Sequence, residues 1–320
     1  IKTNQYNNIE LIQAGLSDHL GKATFYTSDN AELNSLTASE STQGNKQTIE
    51  LLTLDGCYEQ HSWAHLDFIK LDAEGEELNI LKGAHKTLSA CSPLIMFELK
   101  HGKETNTALI SAFKDLGYES YYLIPSLNIL CPLDLAKPID AFQLNLFCCK
   151  PKTAQRLAEQ GFLVNSLALL EPQQIMADND FFKLQAIAKD ITLTETAGVS
   201  KSTDMYLQAY HAYVQSRDES LSASMRVNYL NTAFEIAKKV LSSGESKIER
   251  LITIARVTYD IGHQSIGNQI LQHLITQYIE KKIPFEVNEI FVAPSKSFEL
   301  IAANGKVKNW FFASILDQFI

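Results

Sequence analysis

The segment "DFIKLDAEGEELNILKGA", residues 67–84, constrains the fold more than any other part of this sequence. Its first half, with "LDFIKLD" at 66–72, is typical of a buried strand in a parallel sheet, where helices cover both faces. In its second half Leu78, Leu81 and Ala84 recur at helical spacing along one face. A strand that runs directly into a helix predicts a parallel α/β sheet.

Charged side chains cluster where this strand ends. Lys70 and Asp72 are two residues apart and therefore lie on one side of the strand, and Glu74 follows them. A buried ammonium group is strongly disfavoured without a partner. We therefore predict that Lys70 pairs with a carboxylate, either Asp72 or Glu98 on the next strand, and that this pair fixes the rotamer of an acidic side chain.

The acidic residues have structural explanations as well as functional ones. Asp72 or Glu74 could cap exposed N–H groups at the start of the helix, and Glu76 and Glu77 lie in a first turn that favours negative charge. Ligands of open α/β sheets bind outside the carboxyl ends of the strands. We therefore expect a function for Asp72 and Glu74 and a structural role for Glu77, and we leave Glu76 balanced between the two.

The N-terminal half alternates predicted strands and helices, with a polar loop over 29–47. The predicted strands are 8–18, 21–28, 48–56, 66–72, 92–100, 118–124 and 141–150, and the predicted helices follow residue 72 and span 106–117. This order predicts an α/β domain over 1–150 whose last two strands form a hairpin-like edge.

The C-terminal half lacks convincing strands, and we predict a helical linker over 151–200 and an all-α domain over 201–320. Two amphipathic segments of this domain superpose at an offset of 34 residues, which places Ala233 on Gly267 and Ala237 on Leu271. The period is typical of tetratricopeptide-like helical hairpins. The Trp, Tyr and closing Pro of that signature are absent, so we predict a repeat-like helical stack.

Composition excludes several classes of function. The net charge is −9 and no run is rich in Lys or Arg, which argues against a nucleic-acid partner. The five cysteines show no C-x-x-C or zinc-type spacing, and we interpret them as reduced, packed thiols. No apolar segment reaches the roughly 18 residues that a membrane span needs, and no signal peptide is evident. We therefore predict a cytoplasmic protein.

The segment 67–84 resembles the signature of FkbM-type methyltransferases, D-x-I-K-x-D-x-E-G-x-E-x-x-x-L-x-G. The positions that we match to it are Asp67, Ile69, Lys70, Asp72, Glu74, Gly75, Glu76, Leu81 and Gly83. Three further segments resemble family elements: "LIQAGLSDHLGKATFY", "TIELLTLDG" with Thr53, Leu54 and Asp55, and "SPLIMFELK", which ends near Glu98. The resemblance covers about residues 8 to 150.

The resemblance implies an S-adenosylmethionine-dependent enzyme with a seven-stranded sheet whose last strand is antiparallel. We assign the strand at 8–16 to strand three and those at 118–124 and 141–150 to strands six and seven. The expected fold is α/β: a partial Rossmann-like methyltransferase sheet of strands three to seven, plus an all-α C-terminal domain. Strands one and two and the glycine-rich cofactor loop are expected upstream, because the sequence begins without Met and apparently in mid-fold.

The resemblance also implies roles for individual residues. Methyl transfer to a hydroxyl group needs alignment of the acceptor and a group that takes its proton. Asp72 is the candidate for this role, with Glu74 and Glu98 as alternates and Lys70 as the partner of the carboxylate.

The remaining candidates are binding residues. Glu76 and His101 are expected to bind the acceptor, and Leu16, Ser17 and Asp18 are expected to lie near the adenine of S-adenosylmethionine. The carboxylates could instead bind a divalent cation that lowers the pKa of the acceptor, although we favour a site without metal.

Two other classes of function compete with this interpretation. The α/β part could be catalytically silent, which would leave a protein-binding module built on the helical repeats. A nucleotide-binding enzyme ranks third, because no G-x-x-x-x-G-K-[ST] loop occurs. The predicted partners are a small-molecule or glycan acceptor and, through the helical domain, another protein.

Overall fold

The computed structural model of the chain describes residues 6–26, 46–73, 75–101, 104–105, 107–176, 180–193 and 204–319. Most of the polar loop predicted over 29–47 lies outside these residues. The chain divides into two compact units, which we describe separately: unit 1 comprises Ile1–Tyr121 and Leu144–Gln155, and unit 2 comprises Tyr122–Gln143 and Arg156–Ile320.

A small sheet opens the fold. It consists of β1 (Gly15–Leu16), β2 (Gly21–Tyr26) and β3 (Lys46–Leu52) in the order β1-β3-β2. β1 is parallel to β3 and β2 is antiparallel to it. The strand predicted over 8–18 is therefore short, and it pairs with β3 in this sheet.

A helix follows β3 directly. Helix α1 (Leu54–His61) begins after Thr53, whose hydroxyl oxygen accepts a hydrogen bond of 3.0 Å from the backbone N–H of Gly56. Thr53 has an extended backbone and is thus an N-cap residue. The strand predicted over 48–56 ends at Leu52 because this cap starts a helix.

The larger sheet has five strands and mixed direction. Its strands are β4 (Phe68–Leu71), β5 (Leu94–Glu98), β8 (Glu119–Ile124), β9 (Ile129–Pro132) and β10 (Asn145–Cys149). Strands β6 (Lys100–His101) and β7 (Glu104–Thr105) form a separate two-stranded hairpin. The order of the sheet is β4-β5-β10-β8-β9. β4 is parallel to β5, and β10 is antiparallel to both β5 and β8. The α/β fold with an antiparallel last strand is therefore confirmed.

Three features of this sheet differ from expectation. The strands predicted over 118–124 and 141–150 pair with each other but do not form an edge, because β10 lies between β5 and β8 and β9 is outermost. β9 lies within a segment predicted as a loop, because the prolines around its apolar residues obscured it. β4 is not buried on both faces: the side chain of Phe68 is 50% exposed. β4 is an edge strand of the described sheet, so only β5 pairs with it there.

The helix that follows β4 is interrupted at Gly83. Helix α2 (Glu77–Lys82) ends there and helix α3 (His85–Cys91) begins after Ala84. A Cβ atom on Gly83 would lie 2.2 Å from the carbonyl oxygen of Ser17, so only glycine allows this backbone contact. The contact brings the end of α2 against the turn after β1.

Asp55 stabilises the same region from the opposite side. Its backbone N–H donates to the carbonyl of Gly83 at 2.9 Å. Its carboxylate accepts hydrogen bonds from the backbone N–H groups of Lys86 at 3.0 Å and Thr87 at 2.8 Å, in the first turn of α3. Asp55 is therefore an N-terminal cap of α3 contributed by a distant segment. Helices α4 (Thr107–Asp115) and α5 (Pro151–Glu159) complete the helices of the sheet region.

The C-terminal region is helical, as predicted. Its α-helices are α6 (Asp180–Leu184), α7 (Met205–Ser216), α8 (Ala223–Ser242), α9 (Ile248–Ile261), α10 (Gln264–Leu274) and α11 (Val307–Phe319). Shorter 3₁₀ helices span Pro172–Gln174, Ala186–Asp190 and Ser297–Leu300, and a π-helix spans Ile275–Glu280. Successive helices from α7 to α10 pack against one another.

The positions aligned by the 34-residue offset are buried in both helices. Ala233 and Ala237 of α8 are buried, as are Gly267 and Leu271 of α10. A Cβ atom on Gly267 would lie 2.5 Å from the ring of Tyr259, so α10 lies close against α9. The tetratricopeptide-like class itself stays a prediction.

A buried ionic network ties three helices of unit 2 together. Glu299 accepts two hydrogen bonds from Arg217, at 2.6 and 2.9 Å, and lies 3.0 Å from Arg256. Arg256 also donates to Asp260 at 2.9 Å, and the hydroxyl of Tyr213 donates to the same carboxylate oxygen at 2.7 Å. The two guanidinium groups thus share the carboxylate of Glu299, whose side chain is 12% exposed.

All five cysteines are free and four of them are buried, which agrees with the prediction of packed thiols. Within the described ranges no helix has both the length and the apolar character that a membrane crossing requires.

We expect the substitution Gly83→Ala to lower the free energy of unfolding of unit 1 by about 2 kcal/mol, because the new methyl group meets backbone that cannot move aside. Hydrogen exchange at the amides of β5 measures this change. The matched control is Gly21→Ala, where a Cβ atom meets only the His19 ring at 3.4 Å. Equal effects of the two substitutions would contradict a special contact at Gly83.

We expect Glu299→Gln to lower the free energy of unfolding of unit 2 by about 3 kcal/mol, because it removes the charge that the buried guanidinium group of Arg256 shares with the partly buried one of Arg217. Hydrogen exchange at α9 amides reports it. The control Glu235→Gln removes an ion pair with Lys238 on the surface of α8, and it should cost about 0.5 kcal/mol or less. A cost for Glu299→Gln as small as that of the control would show that the network contributes little.

Candidate active site

The end of β4 carries the first part of the site. The ammonium group of Lys70 donates a hydrogen bond of 2.8 Å to Oδ2 of Asp72. This bond and the negative charge of Asp72 raise the pKa of Lys70. The predicted Lys–carboxylate pair is confirmed. Burial of the Lys70 ammonium group, from which the pair was predicted, is wrong, because the side chains of Lys70 and Asp72 are 55% and 37% exposed.

Glu98 belongs to the same group. β4 and β5 are parallel, and Leu71 pairs with Phe97. Asp72, which follows β4, and Glu98, the last residue of β5, therefore lie at the carboxyl ends of neighbouring strands. The charge of Glu98 also acts to raise the pKa of Lys70. The structure therefore brings Lys70, Asp72 and Glu98 together, as the topology of parallel strands predicts.

Glu77 lies on the inner side of the loop between β4 and α2. Its side chain is only 6% exposed. Its carboxylate accepts hydrogen bonds from the backbone N–H of Ala73 at 3.1 Å and from that of Gly75 at 3.3 and 3.1 Å. The structural role expected for Glu77 is confirmed by these bonds, and it involves the preceding loop more directly than the helix dipole.

Glu77 is also the second glutamate of the signature. Counting from Gly75 along G-x-E reaches Glu77, so the assignment of this position to Glu76 was wrong by one residue. A correct count along the pattern is the signal that identifies Glu77 from the sequence alone.

Glu76 connects the loop to the turn after β1. Its Oε2 accepts hydrogen bonds from the hydroxyl of Ser17 at 3.2 Å and from the amide of Asn79 at 3.1 Å. Glu76, a predicted acceptor-binding residue, and Ser17, a predicted cofactor-binding residue, are thus in direct contact.

The three residues expected near the cofactor differ in what they can bind. Ser17 is 3% exposed, its hydroxyl bonds to Glu76, and its N–H donates to the carbonyl of Leu52 at 2.8 Å. Leu16 is half-buried in β1. The hydroxyl and the N–H of Ser17 are therefore used within the protein, and the cofactor-binding role of Ser17 stays a prediction.

Asp18 is better suited than Ser17 to bind a ligand. Its carboxylate oxygen lies 2.6 Å from Nδ1 of His19, and this hydrogen bond lowers the pKa of Asp18. The side chain is 37% exposed. A carboxylate offers about four lone-pair positions, so the bond to His19 leaves acceptor capacity for an N–H donor of a ligand.

Two predicted site residues lie wholly or partly outside the described structure. Glu74 is outside the described residues. The backbone of His101 pairs with Glu104 in the β6–β7 hairpin, while its side chain is not among those described. Across the described parts of the chain, no group of three or more His, Cys, Asp or Glu side chains lies together as a possible metal site.

Comparison with known families agrees with this arrangement of strand, loop and helix. Residues 2–120 match the Methyltransferase FkbM domain. The resemblance found in the signature segment is thereby confirmed. The comparison with curated proteins and the comparison with solved structures found no match to the chain.

The match to the FkbM domain ends before the sheet does. β10 lies beyond residue 120 and yet pairs with β5 and β8 at the centre of the larger sheet. The sheet that supports the candidate site therefore depends on a strand outside the matched segment.

We expect Asp72→Asn to lower the pKa of Lys70, because the substitution removes the hydrogen-bonded charge that raises it. Glu98→Gln should lower it less, because the charge of Glu98 is the smaller contribution. NMR titration of isotopically labelled lysine side chains measures these changes.

The control for this titration is a second Lys–Asp pair of the same kind. Lys183 donates to Asp180 at 2.7 Å, and this bond raises the pKa of Lys183. Asp180→Asn should therefore lower the pKa of Lys183 and leave that of Lys70 unchanged. A Lys70 pKa that is the same in Asp72→Asn and in wild type would contradict the pairing.

Proposed function

We propose that this protein is an S-adenosylmethionine-dependent methyltransferase that methylates a hydroxyl group of an acceptor such as a glycan or a secondary metabolite. The match of residues 2–120 to the Methyltransferase FkbM domain supports the methyltransferase activity. The observation that carries the assignment of roles is the hydrogen-bonded pair of Lys70 and Asp72 beside Glu98. S-adenosylmethionine, when bound, supplies the electrophilic methyl group.

Asp72 is suited to take the proton of the acceptor. Oδ2 of its carboxylate is bonded to Lys70, and a carboxylate keeps further lone pairs with which to accept a hydrogen bond from a hydroxyl group. General bases of this type contribute about 10²–10⁴-fold to a rate. The partly exposed position of Asp72 supports access by an acceptor.

Lys70 and Glu98 support Asp72 in different ways. The ammonium group of Lys70 restricts the rotamer of the Asp72 carboxylate through its hydrogen bond to Oδ2. Glu98, at the end of the next strand, is the alternate base, as is Glu74. Among Leu16, Ser17 and Asp18, Asp18 is the residue best suited to accept a hydrogen bond from the cofactor.

The test is the transfer of a labelled methyl group from S-adenosylmethionine to a panel of candidate glycans, followed by mass spectrometry. We expect Asp72→Asn to reduce kcat by about 10²-fold or more, because the substitution removes the proton acceptor. The matched control is Asp180→Asn, which also breaks a surface Lys–Asp pair and should leave kcat unchanged.

Two outcomes would contradict the proposal. Wild-type rates in Asp72→Asn, Glu74→Gln and Glu98→Gln alike would remove the acidic residues from the mechanism. A wild-type protein without saturable affinity for S-adenosylmethionine would favour the alternative, a catalytically silent domain that binds a protein partner through its helical repeats.

A further inference from the structure

We propose that Glu77 is a positioning residue: its carboxylate holds the loop after β4 in the conformation that presents Asp72 beside Lys70 and Glu98. This inference rests on the proposed function, since it assigns to Glu77 a part in the work of Asp72.

The burial of Glu77 requires an explanation. Removing a carboxylate from water is costly unless hydrogen bonds compensate for the lost hydration. The compensation here comes from the loop itself, through the N–H groups of Ala73 and Gly75. An apolar side chain at position 77 would leave these N–H groups without their present acceptor and the loop without these hydrogen bonds. The carboxylate and the loop conformation therefore depend on each other.

The geometry of the loop matches this role. Gly75 has a φ of 105°, in the region that favours glycine. This turn lets the N–H groups of residues 73 and 75 point toward one carboxylate, in the manner of a backbone nest. Asp72 directly precedes Ala73, so a loop that rotates away from Glu77 would also displace the Asp72 carboxylate from Lys70.

Glu77 is itself held in place. Ile80 and Leu81, one turn further along α2, are buried. On the neighbouring side, Glu76 is bonded to Ser17 and Asn79. The contact of Gly83 with Ser17 then fixes the far end of the helix. A positioning group on a rigid element defines a site better than one on a mobile loop.

The first test is the substitution Glu77→Gln, which keeps the shape of the side chain but replaces one acceptor oxygen by an NH₂ group. We expect kcat to fall by about 10-fold or more, because small displacements of a reacting group cost up to about 10²-fold in rate. The Kd for S-adenosylmethionine should stay within about twofold of wild type, since Glu77 has no part in binding the cofactor. Glu77→Asp keeps the charge on a side chain that is shorter by one methylene group. Its kcat should lie between those of wild type and Glu77→Gln.

The second test does not depend on activity. In Glu77→Gln, NMR hydrogen exchange at the amides of Ala73 and Gly75 should be about 10-fold faster or more, while the amides of β5 exchange as in wild type. Faster exchange confined to the loop is the signature of a residue that positions the loop, because general destabilisation would accelerate exchange at β5 as well.

The matched control is Asp55→Asn. Asp55 is another carboxylate of unit 1 that accepts backbone N–H bonds, but it caps α3 and contacts neither the loop nor Asp72 in the bonds described. This variant should lose stability and keep its kcat. An equal fall of kcat in Asp55→Asn and Glu77→Gln would show that Glu77 is merely structural and would overturn the inference.

Failure of the inference is distinguishable from failure of the proposed function. If the wild-type protein transfers methyl groups and Glu77→Gln keeps full kcat, the inference about Glu77 is overturned alone. If the wild-type protein neither binds S-adenosylmethionine nor transfers a methyl group, the proposed function is overturned. The exchange rates at Ala73 and Gly75 in Glu77→Gln then decide whether Glu77 holds the loop. Rates equal to those of wild type would overturn the positioning role of Glu77 as well.

Discussion

The contact between Gly83 and the carbonyl of Ser17 is the constraint on which unit 1 depends. It brings α2 against the turn after β1 at a distance that no side chain at position 83 would allow. At the same junction the backbone N–H of Asp55 bonds to the carbonyl of Gly83, whereas the Asp55 carboxylate bonds only to α3, which it caps. Because α2 is held in this way, the glutamates in and just before its first turn reach fixed partners: Glu76 reaches Ser17, and Glu77 reaches the loop.

Glu77 and Asp72, two acidic residues of the signature, differ in their exposure and in their hydrogen-bond partners. Glu77 is buried and bonds to backbone N–H groups, whereas Asp72 is partly exposed and bonds to Lys70. A buried carboxylate surrounded by N–H donors is an anchor, and a partly exposed one with lone pairs to spare is available to a ligand. The family signature thus combines residues that build the loop with residues that the loop presents.

Much of this arrangement was predictable, and each error has a physical cause. The strand and helix at 66–91 follow from period and charge, and the Lys70–Asp72 pair follows from their spacing of two residues along a strand. The break at Gly83 was not predictable, because it depends on Ser17, which lies far away in the sequence. β9 was missed because prolines flank its short apolar segment, and the exposure of Phe68 was missed because edge and central strands have similar sequences.

The sequence by itself determined the α/β class, the helical C-terminal region, the FkbM resemblance and the identity of the acidic residues at the strand end. Local periodicity and a fixed motif suffice for these features, since both are written in neighbouring residues. Only the tertiary structure decided that Ser17 donates a hydrogen bond to Glu76, that Asp55 caps α3, and that Glu77 is buried while Asp72 is partly exposed. The first two choices depend on hydrogen bonds between segments that are 59 and 32 residues apart, and no local pattern encodes such partners. The third depends on which side of the loop is buried, and that is decided by packing.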